Sequence, residues 1–166
     1  HRQGDHIKYA AEYIQNGIEV CSGVETLDSI DYSHKMRVIQ KQVKHTIGEF
    51  VVMAVEVKHD VHCFSFLIQH PESGLILFAT DTMYLPYKFP GLNNLILECN
   101  YSQEILDSRL SEGETIDMVR NRVIGSHMSL ETAKDFLRAN DLTGVNNIVL
   151  IHLSDGNSNA ALFKTE

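Results

Sequence analysis

The sequence is poor in basic residues. Its 166 residues include 14 Lys and Arg against 22 Asp and Glu, which gives a formal net charge of −8 at pH 7. Non-specific binding of nucleic acid needs clustered positive charge, so this balance argues against broad electrostatic capture of DNA or RNA. A nucleic-acid substrate would have to be held locally, by metal and a few donors.

Cysteine is scarce as well. Cys21, Cys63 and Cys99 show no CxxC spacing, and each lies in or beside an apolar run. An odd number of thiols in such positions favours buried free cysteines in a reducing compartment over a disulfide or a ligand role. No run approaches the roughly 20 apolar residues of a membrane span, and no signal peptide is visible. We therefore expect a cytoplasmic protein with no membrane partner.

The hydrophobic content, 43% of the 166 residues, is sufficient for a folded core. A chain of this length buries roughly two-thirds of the surface that it exposes when unfolded. No repeat, low-complexity tract or linker divides the sequence, so we expect one domain over residues 1–166. His1 is not a natural initiator residue, so we expect an N-terminal part of this domain to be missing from the chain.

Hydrophobic periodicity predicts a mixed α/β protein. An amphipathic helix is predicted over residues 7–16, with Asp5 as its N-cap and Gly17 after its end. A weak helical turn is predicted at 24–30. Further helices are predicted at 103–110, 114–123, 130–139 and 157–164, and Ser129 is a good N-cap for the helix at 130–139. Strands are predicted at 18–21, 34–40, 50–57, 64–68, 75–79, 95–99 and 148–153. The almost continuously apolar strand at 50–57 is typical of burial on both faces, and the turn at 71–74 predicts a hairpin.

Three potential metal ligands lie within the first six residues. His1, Asp5 and His6 directly precede the first predicted helix. Neutral imidazole and carboxylate suit Zn²⁺, Mn²⁺ or iron, and ligands on a loop at a helix N-terminus can face one ion without backbone strain. The opening loop is therefore a candidate metal site.

Four further polar residues stand where predicted strands end. His59 and Asp60 follow the strand at 50–57, Asp81 follows the strand at 75–79, and His152 lies at the end of the strand at 148–153. Strand ends point into a common crevice in layered α/β folds, so ligands that are far apart in sequence can meet there. Taken singly, each residue has a simpler explanation as a surface residue, a satisfied core histidine or a turn cap. Their shared placement makes one site together with the opening loop plausible.

Several stretches, taken in order, resemble the ligand motifs of the metallo-β-lactamase superfamily. They are His1-x-Gln3-x-Asp5-His6, Val57-Lys58-His59-Asp60, Ala79-Thr80-Asp81-Thr82 and Ile151-His152-Leu153-Ser154. Other stretches resemble the branch that contains bacterial DNA-processing phosphodiesterases, exonucleases and ribonuclease Z-like enzymes: Glu98-Cys99-Asn100-Tyr101, Ser126-His127-Met128-Ser129, and His152-Leu153-Ser154 followed by Asn157 and Asn159. The match spans almost the whole chain. It implies an αβ/βα sandwich, with two mixed sheets packed between helices and without the N-terminal strands that normally precede the first motif.

The resemblance also implies a metal-dependent hydrolase, and more narrowly a phosphodiesterase or nuclease acting on a small-molecule or nucleic-acid phosphodiester. One or two divalent ions, Zn²⁺ or Mn²⁺, would lower the pKa of a water and so supply hydroxide at pH 7. By resemblance, Asp81 bridges the two ions. Site one would take His1, position 3 and His59, and site two would take Asp5, His6 and His152. The candidate catalytic residues are Asp5, Asp81 and His127.

Gln3 departs from this pattern, because it stands where the first motif has its second histidine. An amide oxygen is a weak ligand for Zn²⁺, although Mn²⁺ or Mg²⁺ accepts it. We therefore expect metal at site one to be weak, absent or other than zinc, while site two can still fill. This substitution and the expected truncation leave an alternative open, namely a degenerate member of the fold that serves as a binding or structural module without turnover.

Other polar positions keep two interpretations each. His127 either donates a proton to a leaving group or is a solvated loop residue. Glu98 either orients a ligand imidazole or emerges into solvent. Asp60 is expected, at most, to support the neighbouring ligand. Ser154, Asn157 and Asn159 either surround a phosphate or form an ordinary turn. The remaining histidines, expected at the surface, are His34, His45, His62 and His70.

Overall fold

The computed structural model describes residues 1–31 and 34–166, with every side chain in these ranges except that of Asp5. Its strands are β1 Val20–Ser22, β2 Met36–Val38, β3 Lys44–Ile47, β4 Phe50–Val57, β5 Cys63–His70, β6 Gly74–Ala79, β7 Asn94–Glu98 and β8 Asn147–Ile151. Its helices are α1 Gly4–Ile7, α2 Ala10–Gln15, α3 Val24–Leu27, α4 Gln103–Ser111, α5 Asp117–Ser126, α6 Leu130–Ala139 and α7 Ala160–Phe163.

A six-stranded mixed sheet dominates the architecture, in the order β3-β4-β5-β6-β7-β8. Strands β3 to β6 pair antiparallel, whereas β6, β7 and β8 pair parallel. The register places Leu77 beside Leu95, and Leu95 beside Ile148. In the part of the chain that the structure describes, the second sheet is the parallel pair β1-β2. The expected two sheets are present there, but only one of them is mixed.

The core lies between the six-stranded sheet and α6. Leu77, Leu95 and Leu97 are fully buried on the sheet, and Phe136 packs from α6 in the same cluster. Burial of one such side chain contributes roughly 1.5–3 kcal/mol. Helix α6 spans the predicted residues, because its buried positions recur at helical spacing and the side chain of Ser129 accepts a hydrogen bond from the Thr132 amide at 3.1 Å.

The predicted hairpin is confirmed, since β5 and β6 pair antiparallel through a turn that ends at Gly74, where φ is +70°. The sequence interpretation missed β3, which pairs with β4. The prediction that β4 is buried on both faces is wrong for its first half, where Phe50 remains 44% exposed. Strand β4 has only the short β3 between it and the edge of the sheet, so its N-terminal half is poorly covered.

The first predicted helix is broken in two. Helix α1 begins at Gly4 behind Gln3, and α2 begins at Ala10. Asp5 therefore lies inside α1, so its prediction as N-cap is wrong. Gly17 follows α2 with a φ of +80°, as expected for a residue that ends a helix.

Sheet topology brings four strand ends to one edge. Because β4 and β6 are both antiparallel to β5, they run in the same direction, and β7 and β8 run parallel to β6. The residues that follow these four strands therefore meet at the same edge, as expected from the sequence. Among the described residues, no helix is long and apolar enough to cross a membrane.

Candidate metal centre

Asp81 lies at the centre of a cluster of imidazoles. Its carboxylate is almost fully buried, at 1% exposure. Oδ2 is 3.2 Å from Nε2 of His1 and 3.0 Å from Nε2 of His6. Oδ1 is 3.8 Å from Nε2 of His59 and 3.6 Å from Nδ1 of His152. Each oxygen thus contacts one histidine from each of the two sites that the resemblance implies.

The strand ends at Asp81 and His152 adopt an unusual backbone conformation. Their φ angles are +51° and +57°, in the left-handed region that residues other than glycine rarely adopt. Such a conformation costs on the order of 1–3 kcal/mol and persists where the surrounding structure imposes it. In this protein it occurs at two residues of the same cluster.

Asp81 keeps its negative charge despite its burial. Burial by itself raises the pKa of this carboxyl, but the hydrogen bond from His6 and electrostatic interactions with the imidazoles of His152, His6 and His59 lower that pKa to about 2. The cluster therefore has a permanent anion at its centre.

Two buried imidazole nitrogens point into the cluster without a hydrogen bond. Nε2 of His1 and Nε2 of His59 have no hydrogen-bond partner among the described residues, and both side chains are 1% exposed. Nδ1 of His59 lies 2.8 Å from the carbonyl oxygen of Ser126. A carbonyl only accepts, so the proton of neutral His59 is on Nδ1 and a lone pair is on Nε2. A buried lone pair that faces the Asp81 carboxylate is unfavourable unless a cation lies between them, so the donor set fits a metal ion.

Glu98 contacts two imidazoles of this cluster through its buried carboxylate. Its side chain is fully buried at the end of β7, and Oε2 accepts a hydrogen bond from the Thr82 amide at 2.7 Å. Oε1 lies 2.6 Å from Nδ1 of His127 and 3.0 Å from Nδ1 of His152. A carboxylate that fixes the orientation of ligand imidazoles is a regular feature of metal centres. Of the two interpretations of Glu98, the solvent-exposed one is wrong.

His127 lies in the same cluster. One of its ring nitrogens is within 4.8 Å of donor atoms of His59 and Asp81, and its side chain is 20% exposed. Its ring contacts those of His59 and His152 at centroid distances of 5.2 and 5.0 Å. His127 is therefore not a solvated loop residue.

Gln3 contacts Asp60 through the nitrogen of its amide. Nε2 of Gln3 donates to Oδ1 of Asp60 at 2.9 Å. The same Oδ1 lies 3.0 Å from Nε2 of His59, and Oδ2 accepts from Nη2 of Arg122 at 3.3 Å. The sequence interpretation gave Asp60, at most, a role in supporting the neighbouring His59, and the contact between the two side chains agrees with that role.

The structure brings together most of the residues that the sequence singled out. These are His1, His6, His59, Asp81, His127 and His152. The backbone of Asp5 lies in α1, and its side chain is outside the described part of the structure. His62 lies apart from the cluster, between Glu25 and Glu56 at the surface.

The polar side chains of the loop after β8 bond to one another and to neighbouring elements. Asn157 donates to Oγ of Ser154 at 3.1 Å and accepts from Arg109 at 3.0 Å. Asn159 caps α7 by accepting from the Leu162 amide at 3.0 Å. These contacts fit an ordinary turn, and the phosphate interpretation stays a prediction.

The mixed sheet, with imidazoles and carboxylates at its strand ends, defines the fold class of this protein. It has the metallo-β-lactamase fold. Two solved structures share this fold over nearly the whole chain. The metallo-beta-lactamase fold protein YhfI from Bacillus subtilis matches with a TM-score of 0.71 and 19% identity, over 100% of this chain and 66% of that one. Unliganded yeast PDE1 matches with a TM-score of 0.61 and 14% identity, over 93% of this chain and 56% of that one.

These likenesses show the fold and not the activity, because the sequence identities are low. The chain spans 66% of the length of the first structure and 56% of the second, so it is shorter than the proteins it resembles. No protein-family model matches the sequence. No curated protein matches it either.

Proposed function

We propose that the protein is a metal-dependent hydrolase that cleaves phosphodiesters with a water activated by one or two divalent ions. The observation that carries this proposal is the pair of buried imidazole nitrogens, on His1 and His59, that face the Asp81 carboxylate without a hydrogen bond. The electrostatic free energy of such a pocket is unfavourable, and a bound divalent cation lowers it.

The chain supplies donors for two ions. His1 and His6, beside Oδ2 of Asp81, would hold one ion, and His59 and His152, beside Oδ1, would hold the other. Asp5 would be an additional ligand, as the resemblance implies. Nitrogen and carboxylate donors in this ratio suit Zn²⁺ or Mn²⁺. Ions in this pocket would lower the pKa of a water and stabilise negative charge on phosphoryl oxygens.

His127 is suited to proton transfer beside these ligands. Its Nδ1 lies 2.6 Å from the buried Glu98 carboxylate, and this contact fixes the orientation of the ring. A partly exposed imidazole held in this way can give a proton to the leaving oxygen of a cleaved ester. In this proposal, Glu98 is a positioning residue for His127.

The phosphodiester class is supported by two observations of different kinds. The segments at 98–101 and 126–129, which resemble the phosphodiesterase and nuclease branch, are the segments that supply Glu98 and His127 to the cluster. Yeast PDE1 shares the fold. The net charge of −8 favours a small substrate, or one nucleic-acid end, over a long duplex.

The test is hydrolysis of bis(p-nitrophenyl) phosphate and of a short single-stranded oligonucleotide by metal-free protein supplied with Mn²⁺ or Zn²⁺. We expect turnover that falls at least about a hundredfold in Asp81→Asn, because the central anion is lost. Asp135→Asn, at an exposed carboxylate that pairs with Arg138, is the matched control and should retain turnover.

The alternative is a binding or structural module without turnover. It predicts fewer than two bound ions per chain and no hydrolysis of either substrate with either metal. That result, from folded protein, would overturn the proposed function.

A further inference from the structure

We propose that helix α5 binds the nucleotide next to the scissile bond, with Arg122 on its phosphate and Met118 and Val119 against its base. This inference rests on the proposed function, because the metal centre determines where the scissile phosphate lies. The substrate class is thereby narrowed to short single-stranded nucleic acid.

Helix α5 joins the metal centre at its C-terminal end and is exposed along the rest of its length. Within Asp117–Ser126, all of which the structure describes, only Ser126 is buried. The carbonyl oxygen of Ser126 lies 2.8 Å from Nδ1 of His59, and His127 follows directly in the chain. The helix therefore leads outwards from the imidazole cluster and has an exposed side that another molecule can reach.

Arg122 brings a permanent positive charge to the edge of the cluster. Its Nη2 donates to Oδ2 of Asp60 at 3.3 Å, and Oδ1 of the same carboxylate lies 3.0 Å from Nε2 of His59. The Arg122 side chain is still 72% exposed, so most of its N–H donors face solvent. A guanidinium binds a phosphate through paired hydrogen bonds. In a chain with a net charge of −8, this cation favours an anionic group beside the centre.

The next turn of the same helix face is apolar. Met118 and Val119 precede Arg122 by four and three residues, the spacing at which helical side chains are neighbours. They are 75% and 46% exposed, and Ile116, directly before the helix, is 57% exposed. An apolar cluster in water is a feature of surfaces that bind another molecule. A nucleobase is a flat group that packs against apolar side chains.

The order of these side chains along α5 fits the order of the groups in a nucleotide strand. A helix rises about 1.5 Å per residue, so Arg122 lies about 6 Å from Ser126 along the axis, and Met118 about 6 Å further. With the scissile phosphate at the metal centre, the adjacent phosphate would lie near Arg122 and its base near Met118. Asp117, at the far end, is acidic and exposed, so a further phosphate is disfavoured there. We therefore expect α5 to bind a single nucleotide.

The experiment compares two thymidine dinucleotides, one with a phosphate at both ends and one with a phosphate at neither. Their internal linkage is a phosphorothioate, which slows cleavage, so isothermal titration calorimetry in the presence of Mn²⁺ measures binding alone. The wild type should bind the phosphorylated dinucleotide about tenfold more tightly, as expected for hydrogen bonds to a charged group. Arg122→Gln should reduce this ratio of affinities to about one.

The ratio separates phosphate binding from damage to the centre. Arg122→Gln also removes the contact with Asp60, but a change in the metal centre affects both dinucleotides and cancels in the ratio. Arg138→Gln is the matched control, because Arg138 is 68% exposed and donates to Asp135 at 3.1 Å. This control variant should retain the ratio of the wild type.

The apolar surface is tested with a dinucleotide that has abasic residues in place of the thymidines. The wild type should prefer the thymidine dinucleotide by about threefold, because the base covers apolar side chains. Met118→Gln should reduce this preference, and the conservative variant Met118→Leu should keep it. Circular dichroism establishes that each variant is folded.

The outcomes distinguish this inference from the proposed function. No binding of either dinucleotide, a ratio of one in the wild type or an unchanged ratio in Arg122→Gln would overturn the role of Arg122. An unchanged preference for thymidine in Met118→Gln would overturn the role of the apolar surface. The hydrolase proposal would still stand on bis(p-nitrophenyl) phosphate, which has no second phosphate and no base. If the expected differences appear in a protein that hydrolyses nothing, the proposed function is wrong, and α5 remains a nucleotide-binding surface.

Discussion

Oε1 of Glu98 lies 2.6 Å from Nδ1 of His127, and the same oxygen lies 3.0 Å from Nδ1 of His152. One buried carboxylate oxygen therefore orients two imidazoles that come from different parts of the chain. The other oxygen is held by the Thr82 amide, directly after Asp81. This arrangement fixes the rings of the cluster before any ligand binds, which reduces the entropy that binding has to overcome.

Replacement of Glu98 by glutamine should weaken metal binding. The amide keeps the size of the side chain, but its oxygen carries less negative charge, so it holds the two imidazoles less firmly. Loss of such a supporting carboxylate typically costs 10- to 100-fold in affinity or activity, and we expect about that decrease. Titration with Mn²⁺ measures it, with Glu131→Gln at an exposed position as the control. Equal affinities in the two variants would show that Glu98 does not act on the centre.

Asp81 should make the stability of the metal-free protein depend on acid pH. The folded pKa is about 2, below the ordinary value of 3.8. The stabilisation is therefore fully present above about pH 4 and is lost as the pH falls towards 2. The carboxyl has the higher pKa in the unfolded chain, so the unfolded chain takes up the proton first. The shift corresponds to about 2 kcal/mol.

Asp81→Asn cannot lose this stabilisation, because it has no proton to gain. Urea unfolding of EDTA-treated protein is followed by circular dichroism between pH 5 and pH 2. As the pH falls, the free energy of unfolding of the wild type should decrease by about 2 kcal/mol more than that of the variant. Parallel pH profiles for the two proteins would contradict the assignment.

The three cysteines should differ in reactivity. Burial raises the pKa of the Cys63 and Cys99 thiols to about 12. Partial burial and the nearby Glu19 also raise the pKa of Cys21, but this thiol is the most accessible of the three. The thiolate is the reactive species, so the native protein at pH 8 should react rapidly with one equivalent of a disulfide reagent at most. Unfolding in guanidinium should release the other two. Cys21→Ser should remove the fast phase, and a fast phase that persists in this variant would contradict the burial of the other thiols.

Loss of the Ser129 cap should destabilise α6. Its hydroxyl accepts from the Thr132 amide at 3.1 Å, and replacement of a capping serine by alanine costs typically about 1 kcal/mol. Ser102 occupies the N-cap of α4 without a side-chain capping bond, so Ser102→Ala is the matched control. Urea unfolding should show a larger loss for Ser129→Ala. A larger loss for Ser102→Ala would mean that the cap of α6 contributes little.

Local features of the fold were predictable because their causes are local. The hairpin of β5 and β6 follows from a turn between two apolar runs, and α6 follows from its periodicity and the Ser129 cap. Strand β3 was missed because Lys44–Ile47 is short and mostly polar, and it becomes a strand only by pairing with β4. The break between α1 and α2 was also missed, because no glycine or proline lies between these helices in the sequence.

For the candidate centre, the resemblance of five residues, in their order, to the ligand motifs of the superfamily selected His1, His6, His59, Asp81 and His152 as one group. The sequence could not show that Gln3 turns its amide nitrogen towards Asp60, nor that Glu98 serves two imidazoles. Those contacts join residues 57 positions apart in the first case and 29 and 54 in the second. Side-chain types limit which chemistry is possible, but the direction in which an amide or a carboxylate points depends on the packing around it.

The sequence alone determined the class of elements, the positions of the strand ends and the set of donors available for a metal, because each depends on near neighbours in the chain. The tertiary structure decided which donors share one pocket and which are left without a hydrogen bond. Those properties depend on the parallel course of β4, β6, β7 and β8, which brings distant residues within a few ångströms of the buried Asp81 carboxylate.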